Sequence, residues 1–304
     1  MGNREFIGYV VGSLVSMESI PLDHIPYELV LYAKKNKVLY QLGLFDDRVK
    51  SFWEWRELDR RWKAQLDALK SVSRLTSEGV EVLVIKTFKS FNYVPDDIDL
   101  LVINKDDMGY VIEYFKKQGF SLLKKGTPEI TLRKLYRGTF VDLDIHDCVA
   151  AGHYRYMDNN FLWRYRTRYC IDDIEVYTAS PCVDLALVAG HSVLKELYIL
   201  LSDIYHVYRL WITKRQVVER AIVLSKRIGL YKPLSILINE MYRVFFRREK
   251  LVYPYKIPYQ HIIASYIENL EYRIGREGLS PVKELLLTPG SKGIKLLFKY
   301  ILGG

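Results

Sequence analysis

Apolar positions recur in three regimes along the chain. From Pro26 to Leu42 they fall at helical spacing (Leu29, Leu31, Tyr32, Val38, Leu39), with Asn36 as the weak point. Asp46 to Thr76 predicts one long helix: Asp46 and Asp47 suit its first turn and Gly79 follows its end. Phe52, Trp55, Leu58, Trp62, Leu66 and Leu69 make its core stripe. Strand-length runs then take over: Val82–Ile85, Leu100–Ile103, Phe120–Lys125, Glu129–Tyr136, Thr139–Ile145 and Ile174–Thr178. An amphipathic helix, Asp106–Gln118, interrupts them and is closed by Gly119. Ser180-Pro181 suits a helix start, and the rest is nearly all helical: Val183–Thr213, Lys214–Ile228, Pro233–Glu249, Ile257–Arg273, and a last helix from Ser280 or Lys292 to Leu302. The N-terminus has a short apolar patch, Ile7–Val15, interrupted by glycines and without a convincing cleavage site; it is expected to be a strand or helix of the fold. The pattern predicts an α+β protein: an N-terminal helical segment (1–78), a small mixed β-sheet with a helix on one face (79–179), and a C-terminal all-helical domain (180–304).

Composition narrows the class. The 304 residues are 49% hydrophobic and 27% charged, as in globular proteins. No apolar run reaches the roughly 18 residues of a membrane span. Cys148, Cys170 and Cys182 lack the spacing of a disulfide framework or a zinc site, which points to a reducing cytoplasm. Abundant Tyr, Ile, Leu, Lys and Arg with little Gln lean toward a thermophile. The net charge of +9 is unevenly placed: residues 1–180 hold 26 Lys+Arg and 26 Asp+Glu, and residues 181–304 hold 19 and 10. Such clustering suits a polyanionic partner, although a basic inert surface has the same composition.

The candidate chemistry is acidic. Asp97-Ile98-Asp99 leads into the Leu100–Ile103 run, and alternation along a strand points Asp97 and Asp99 the same way. Asp142 and Asp144 share one face of the Thr139–Ile145 strand. A lone Asp-x-Asp often marks a polar turn. Two such pairs inside apolar strands point instead to the hard oxygen ligands that Mg²⁺ prefers.

The arrangement resembles the nucleotidyltransferase fold of the DNA polymerase β superfamily: a strand ending in a small-residue turn, an acidic pair about ten residues on, and a third carboxylate on a later strand. The family's Gly-Ser turn is replaced here by Lys86-Thr87. Asp144-Ile145-His146-Asp147 resembles the third-carboxylate motif of a poorly characterised branch of that superfamily. So does the placement of Ser180, His191 and Asp203; the likeness runs from about Val80 to Asp203. It implies transfer of a nucleotidyl group from an NTP such as ATP to an acceptor hydroxyl. Mg²⁺ or Mn²⁺ would be held by Asp97, Asp99 and Asp144, with Asp142 as neighbour. Lys86, Thr87, Lys89 and Ser90 would bind the nucleotide's phosphates.

Other readings stay open. Asp142 can pair with Arg133 or Lys134 on the neighbouring strand. His146 can be a ligand, a proton carrier or a packed polar group. Arg164, Arg166 and Arg168 alternate with aromatics and suit either base stacking or the outer face of an edge strand. Arg243, Arg247, Arg248 and Lys250 cluster at a helix end, and Lys292, Lys295 and Lys299 form a stripe; an RNA backbone or a solvated face accounts for both. A protein or small-molecule acceptor, a sheet retained only for binding, and a metal-dependent nuclease remain alternatives.

Overall fold

A computed structural model describes residues 3–126, 129–136, 138–251 and 253–286. The N-terminal part is helical: α1 (Asn3–Ser16), α2 (Tyr27–Lys35), α3 (Leu39–Phe45), α4 (Asp47–Lys50) and α5 (Trp53–Ser77). The sheet strands follow as β1 (Val82–Ile85), β2 (Ile98–Val102), β3 (Ser121–Lys125), β4 (Glu129–Tyr136) and β5 (Thr139–His146), with α6 (Met108–Lys117) after β2. A small hairpin of β6 (Val149–Ala151) and β7 (Tyr154–Met157) and the short α7 (Asn159–Arg164) lead to β8 (Arg166–Ile171) and β9 (Ile174–Ala179). The described remainder holds α8 (Pro181–Gly190), β10 (Tyr198–Ile199), α9 (Leu201–Thr213), α10 (Arg215–Arg227), α11 (Tyr231–Met241), β11 (Tyr255–Lys256), α12 (Tyr259–Glu277) and α13 (Ser280–Leu286). None of the described helices is long and apolar enough to cross a membrane.

The fold is a mixed seven-stranded sheet, in the order β3-β4-β5-β2-β1-β9-β8, flanked by many helices. Strands β2 and β5 run parallel, as do β1 and β9, and the other neighbours are antiparallel. The central strands are covered on both faces, which explains their nearly unbroken apolar runs. Val82, Val84, Ile98, Leu100, Leu143 and Ile145 face α5 and α6 in one core. Leu83, Ile85 and Leu101 face the other way, into a core shared by the N-terminal helices and α8 to α12. Period-two alternation therefore puts Asp99 on the Leu101 face, toward those helices.

Three expected helices are interrupted. The 26–42 helix breaks at Asn36–Val38, where Lys37 turns left-handed (φ 57°) and Asn36 caps Tyr32 while reaching the Tyr253 carbonyl. The 46–76 helix breaks at Ser51-Phe52. The 183–213 helix loosens into a π-helical turn, His191–Glu196, and stops at left-handed Leu197 (φ 64°). The 233–249 helix also ends in a π-helical turn, Tyr242–Phe246. Residues 287–302 of the last expected helix lie outside the described residues.

Asp46 ties the N-terminal helices together. Its carboxylate caps α4 through the Arg48 N–H (3.0 Å), accepts the Ile20 N–H (3.0 Å), and takes Nε and Nη2 of Arg48 at 2.9 and 2.7 Å. Burial opposes the charged form, but these donors outweigh it and hold the Asp46 carboxyl below its usual value. Its stabilising contribution is therefore complete above the ordinary carboxylate range, about pH 4, and drains away as pH falls through the depressed value. Asp46→Asn is expected to cost about 1–3 kcal/mol at pH 7 and to flatten the acid limb of stability, read as urea midpoints between pH 3 and pH 7.

Candidate active site

Strand β2 pairs in parallel with β5 so that Asp99 lies opposite Asp144 and Leu101 opposite His146. Asp97, just before β2, shares the Asp99 face, and the three carboxylates meet in a cleft of about 350 Å³. The sheet forms one wall. The π-helical turn, with His191, Ser192 and Lys195, forms another, joined by Lys37 behind α2 and Asp203 in α9. The cleft thus lies between the sheet and the helices that cover the Leu101 face.

The central carboxylate is Asp99. Its Oδ1 takes the Lys86 ammonium at 2.7 Å and His146 Nε2 at 2.8 Å. Burial alone would raise its pKa; Lys86 and His146 outweigh burial and hold it well below the carboxylate range. Asp97 is treated the opposite way. Burial, then the charges of Asp99 and Asp144, push it up to about 7, and no hydrogen bond reaches it from the described residues. Asp144 is raised by burial, partly offset by the Thr131 hydroxyl. Glu129, opposite His146 in the β4–β5 hairpin, carries Lys195 at 3.2 Å and lies 3.9 Å from His146 Nδ1. Burial opposes its charge, but Lys195 and His146 hold it below its usual value.

No family model, curated protein or solved structure matches this chain.

Five sequence-predicted residues line this cleft: Lys86, Lys89, Asp97, Asp99 and Asp144. Asp142 does not join them: Arg133 takes both of its oxygens at 2.7 Å, the cross-strand pair opposite it in register. Thr87 is buried and its hydroxyl donates back to the Ile85 carbonyl at 3.0 Å, so it serves the turn. Ser90 bonds to His206 behind the cleft. Lys89 reaches Asp203 at 2.6 Å, and Asp203 also accepts from Ser192 and the Leu200 N–H, both at 3.1 Å.

The basic sites fare unevenly. Arg243 is held by Glu240 and Glu249 at 2.9 and 2.8 Å. Arg247 and Arg248 are exposed. Lys292 and Lys295 lie outside the described residues. Arg166 and Arg168 stand on the exposed face of the edge strand β8, with Arg166 over the Trp163 ring and Arg168 3.4 Å from Glu175.

The donor set fits a divalent cation. Asp99, Asp144 and His146 present ligand atoms within 4.8 Å of one another. Asp97 is beside them with no hydrogen-bond partner among the described residues, its pKa raised by burial and then by the charges of Asp99 and Asp144. Glu129, Lys37 and Lys195 join the cleft without a motif of their own in the sequence.

Lys86, in the turn after β1, lies in the left-handed region (φ 56°). Left-handed backbone disfavours any side chain with a Cβ by about 1–2 kcal/mol. Lys86→Gly and Lys86→Ala remove the same ammonium, but only glycine relieves the backbone. The glycine variant is expected to be more stable than the alanine variant by about 1 kcal/mol, measured by chemical denaturation.

Proposed function

We propose that this protein is a metal-dependent nucleotidyltransferase, built on the nucleotidyltransferase fold of the DNA polymerase β superfamily, that moves a nucleotidyl group from an NTP to an acceptor hydroxyl. The observation that carries the reading is the meeting of Asp97, Asp99 and Asp144 on one sheet face, ringed by Lys37, Lys86 and Lys195. Asp97, Asp99 and Asp144 would hold Mg²⁺ or Mn²⁺. Held there, it would supply Lewis acidity toward an attacking hydroxyl and positive charge toward a leaving pyrophosphate.

The chain's own residues supply the rest. His146 fixes Asp99 through its ring nitrogen, as groups behind metal ligands do. Lys86 and Lys195 are paired with Asp99 and Glu129, and either ammonium can pass to a triphosphate oxygen. Lys37, 2.9 Å from Asp96, stands on the opposite wall. The π-helical turn and Tyr198 line the cleft together with the sheet. An RNA acceptor in a cytoplasmic setting goes with the basic C-terminal half, with Arg247 and Arg248 as exposed contacts. A retained but inactive sheet is the second reading, favoured by Lys86 standing in the glycine position with its ammonium on Asp99.

Incubation with each α-labelled NTP, Mg²⁺ or Mn²⁺, and total RNA tests the proposal, with Asp97→Ala/Asp99→Ala alongside. Label is expected in RNA with the wild type alone. His146→Ala, which leaves the carboxylates in place, is expected to cost about 10–100-fold in rate, the usual effect of losing a group that orients a metal ligand. Label in protein would move the acceptor to a protein hydroxyl. Silence of the wild type, together with no metal-dependent NTP binding, would leave the binding-only reading.

A further inference from the structure

A second cleft, about 580 Å³, opens on the other side of the loop that follows β1. Thr167 of β8 and Thr178 of β9, paired in register, contribute to its sheet side. Phe88, Ser90 and Phe91 come from the loop. One face of α9 supplies His206, Arg209 and Thr213, spaced so that they stack along the helix, and Lys214 follows at its end.

His206 is almost fully buried, at 4% exposure. The Ser90 backbone N–H, which can only donate, meets His206 Nδ1 at 2.8 Å. Nδ1 is therefore an acceptor, and the neutral ring carries its proton on Nε2. Burial, then the Lys89 charge, push the His206 pKa down to about 3, so the ring is neutral at physiological pH. Nε2–H finds no acceptor among the described residues: the Asp184 carboxylate lies 3.8 Å away, beyond hydrogen-bond reach.

Arg209, three residues along the same face, repeats the pattern. Its Nε is buried without a partner among the described residues, its Nη1 donates to the Met17 sulfur at 3.1 Å, a weak acceptor, and the Tyr205 hydroxyl lies beside the guanidinium. Neither Arg209 nor Lys214 has a carboxylate partner among the described residues. Buried donors without acceptors are rare in native proteins. Two from one helix face, beside cations with no counter-charge, suit an anion that accepts several hydrogen bonds at once. Asp184, whose charged form is disfavoured by burial, is the one carboxylate residue lining the cleft among the described residues. Apolar surface lies alongside: Phe88 stacks on Tyr169 (centroids 4.2 Å, planes 17° apart), and both line the cleft with Phe45 and Phe91.

We propose that this cleft binds a nucleotide unit, with its phosphate on His206, Arg209 and Lys214 and its base against Phe88 and Tyr169. The cleft has the size of ordinary ligand sites. Arg209 and Lys214 carry no motif of their own in the sequence, and the proposal does not depend on catalysis in the acidic cleft.

Calorimetric titration of the full chain in EDTA with AMP, adenosine and inorganic phosphate tests it. AMP is expected to bind wild type and Asp97→Asn/Asp99→Asn alike, with adenosine and phosphate each about tenfold weaker or more. Arg209→Gln is expected to weaken AMP about tenfold, the effect of losing a charge-assisted bond. Lys214→Gln, at an exposed position, shifts affinity the same way and serves if Arg209→Gln lowers the Tm. Absence of AMP binding to wild type would overturn the proposal, and so would phosphate binding as tightly as AMP. Unchanged affinity in both cation variants would also overturn it. Loss of binding in the Asp97/Asp99 variant alone would place AMP in the acidic cleft instead. None of these results reports on nucleotidyl transfer, so the two proposals fail separately.

Discussion

Like charges set against one another at the strand ends are the constraint that the rest of this molecule answers. The parallel register of β2 and β5 fixes Asp99 beside Asp144, and alternation brings Asp97 to the same face. Two carboxylates about 4 Å apart repel by about 4 kcal/mol at the effective dielectric near a protein surface. The fold answers with cations drawn from distant stretches: Lys86 from the turn after β1, Lys37 from behind α2, Lys195 from the π-helical turn. Lys86, with His146, brings Asp99 far below its usual pKa, while burial and the neighbouring carboxylates push Asp97 up to about 7. The helices are therefore part of the electrostatics of the sheet as well as its cover.

The loop between β1 and β2 is gripped from several helices: Gln41 of α3 accepts the Asn92 N–H, Gln65 of α5 donates to the Pro95 carbonyl, and two further ties come from α9. Lys89 reaches Asp203 and Ser90 reaches His206, so consecutive loop residues are tied to positions three apart on α9. One tie faces the acidic cleft and the other the aromatic one. The loop that presents Asp97 is thus positioned both by helices that precede it and by side chains more than 100 residues downstream.

How much of this the sequence discloses depends on the range of the interaction. Period-two alternation made the Asp97/Asp99 and Asp142/Asp144 faces legible, and it also made strands of the apolar runs. Hairpin register carries further: with Tyr136 opposite Thr139, counting back sets Arg133 against Asp142 and Glu129 against His146. That arithmetic accounts for the Asp142 ion pair and would have drawn Glu129 into the site. Lys37 and Lys195 leave no such trace, because helix packing alone brings them in. The helix break at Leu197 was likewise hidden, since it is left-handed without being glycine and the apolar periodicity continues through it, whereas the break at Lys37 is announced by the weak point at Asn36.

The partition of the buried side chains bears on how the molecule can be divided. One core runs from Phe6 to Leu285 and includes Leu83, Ile85 and Leu101, while the other joins α5 and α6 to the opposite sheet face. Strands β1, β2 and β9 thus have a stake in both. A gene fragment encoding the sheet alone would expose an apolar face wide enough to drive aggregation and would strand Lys89 and Ser90 without their anchors. Dissection of this chain by truncation would accordingly yield insoluble pieces, and its parts are better separated by point substitution than by cutting.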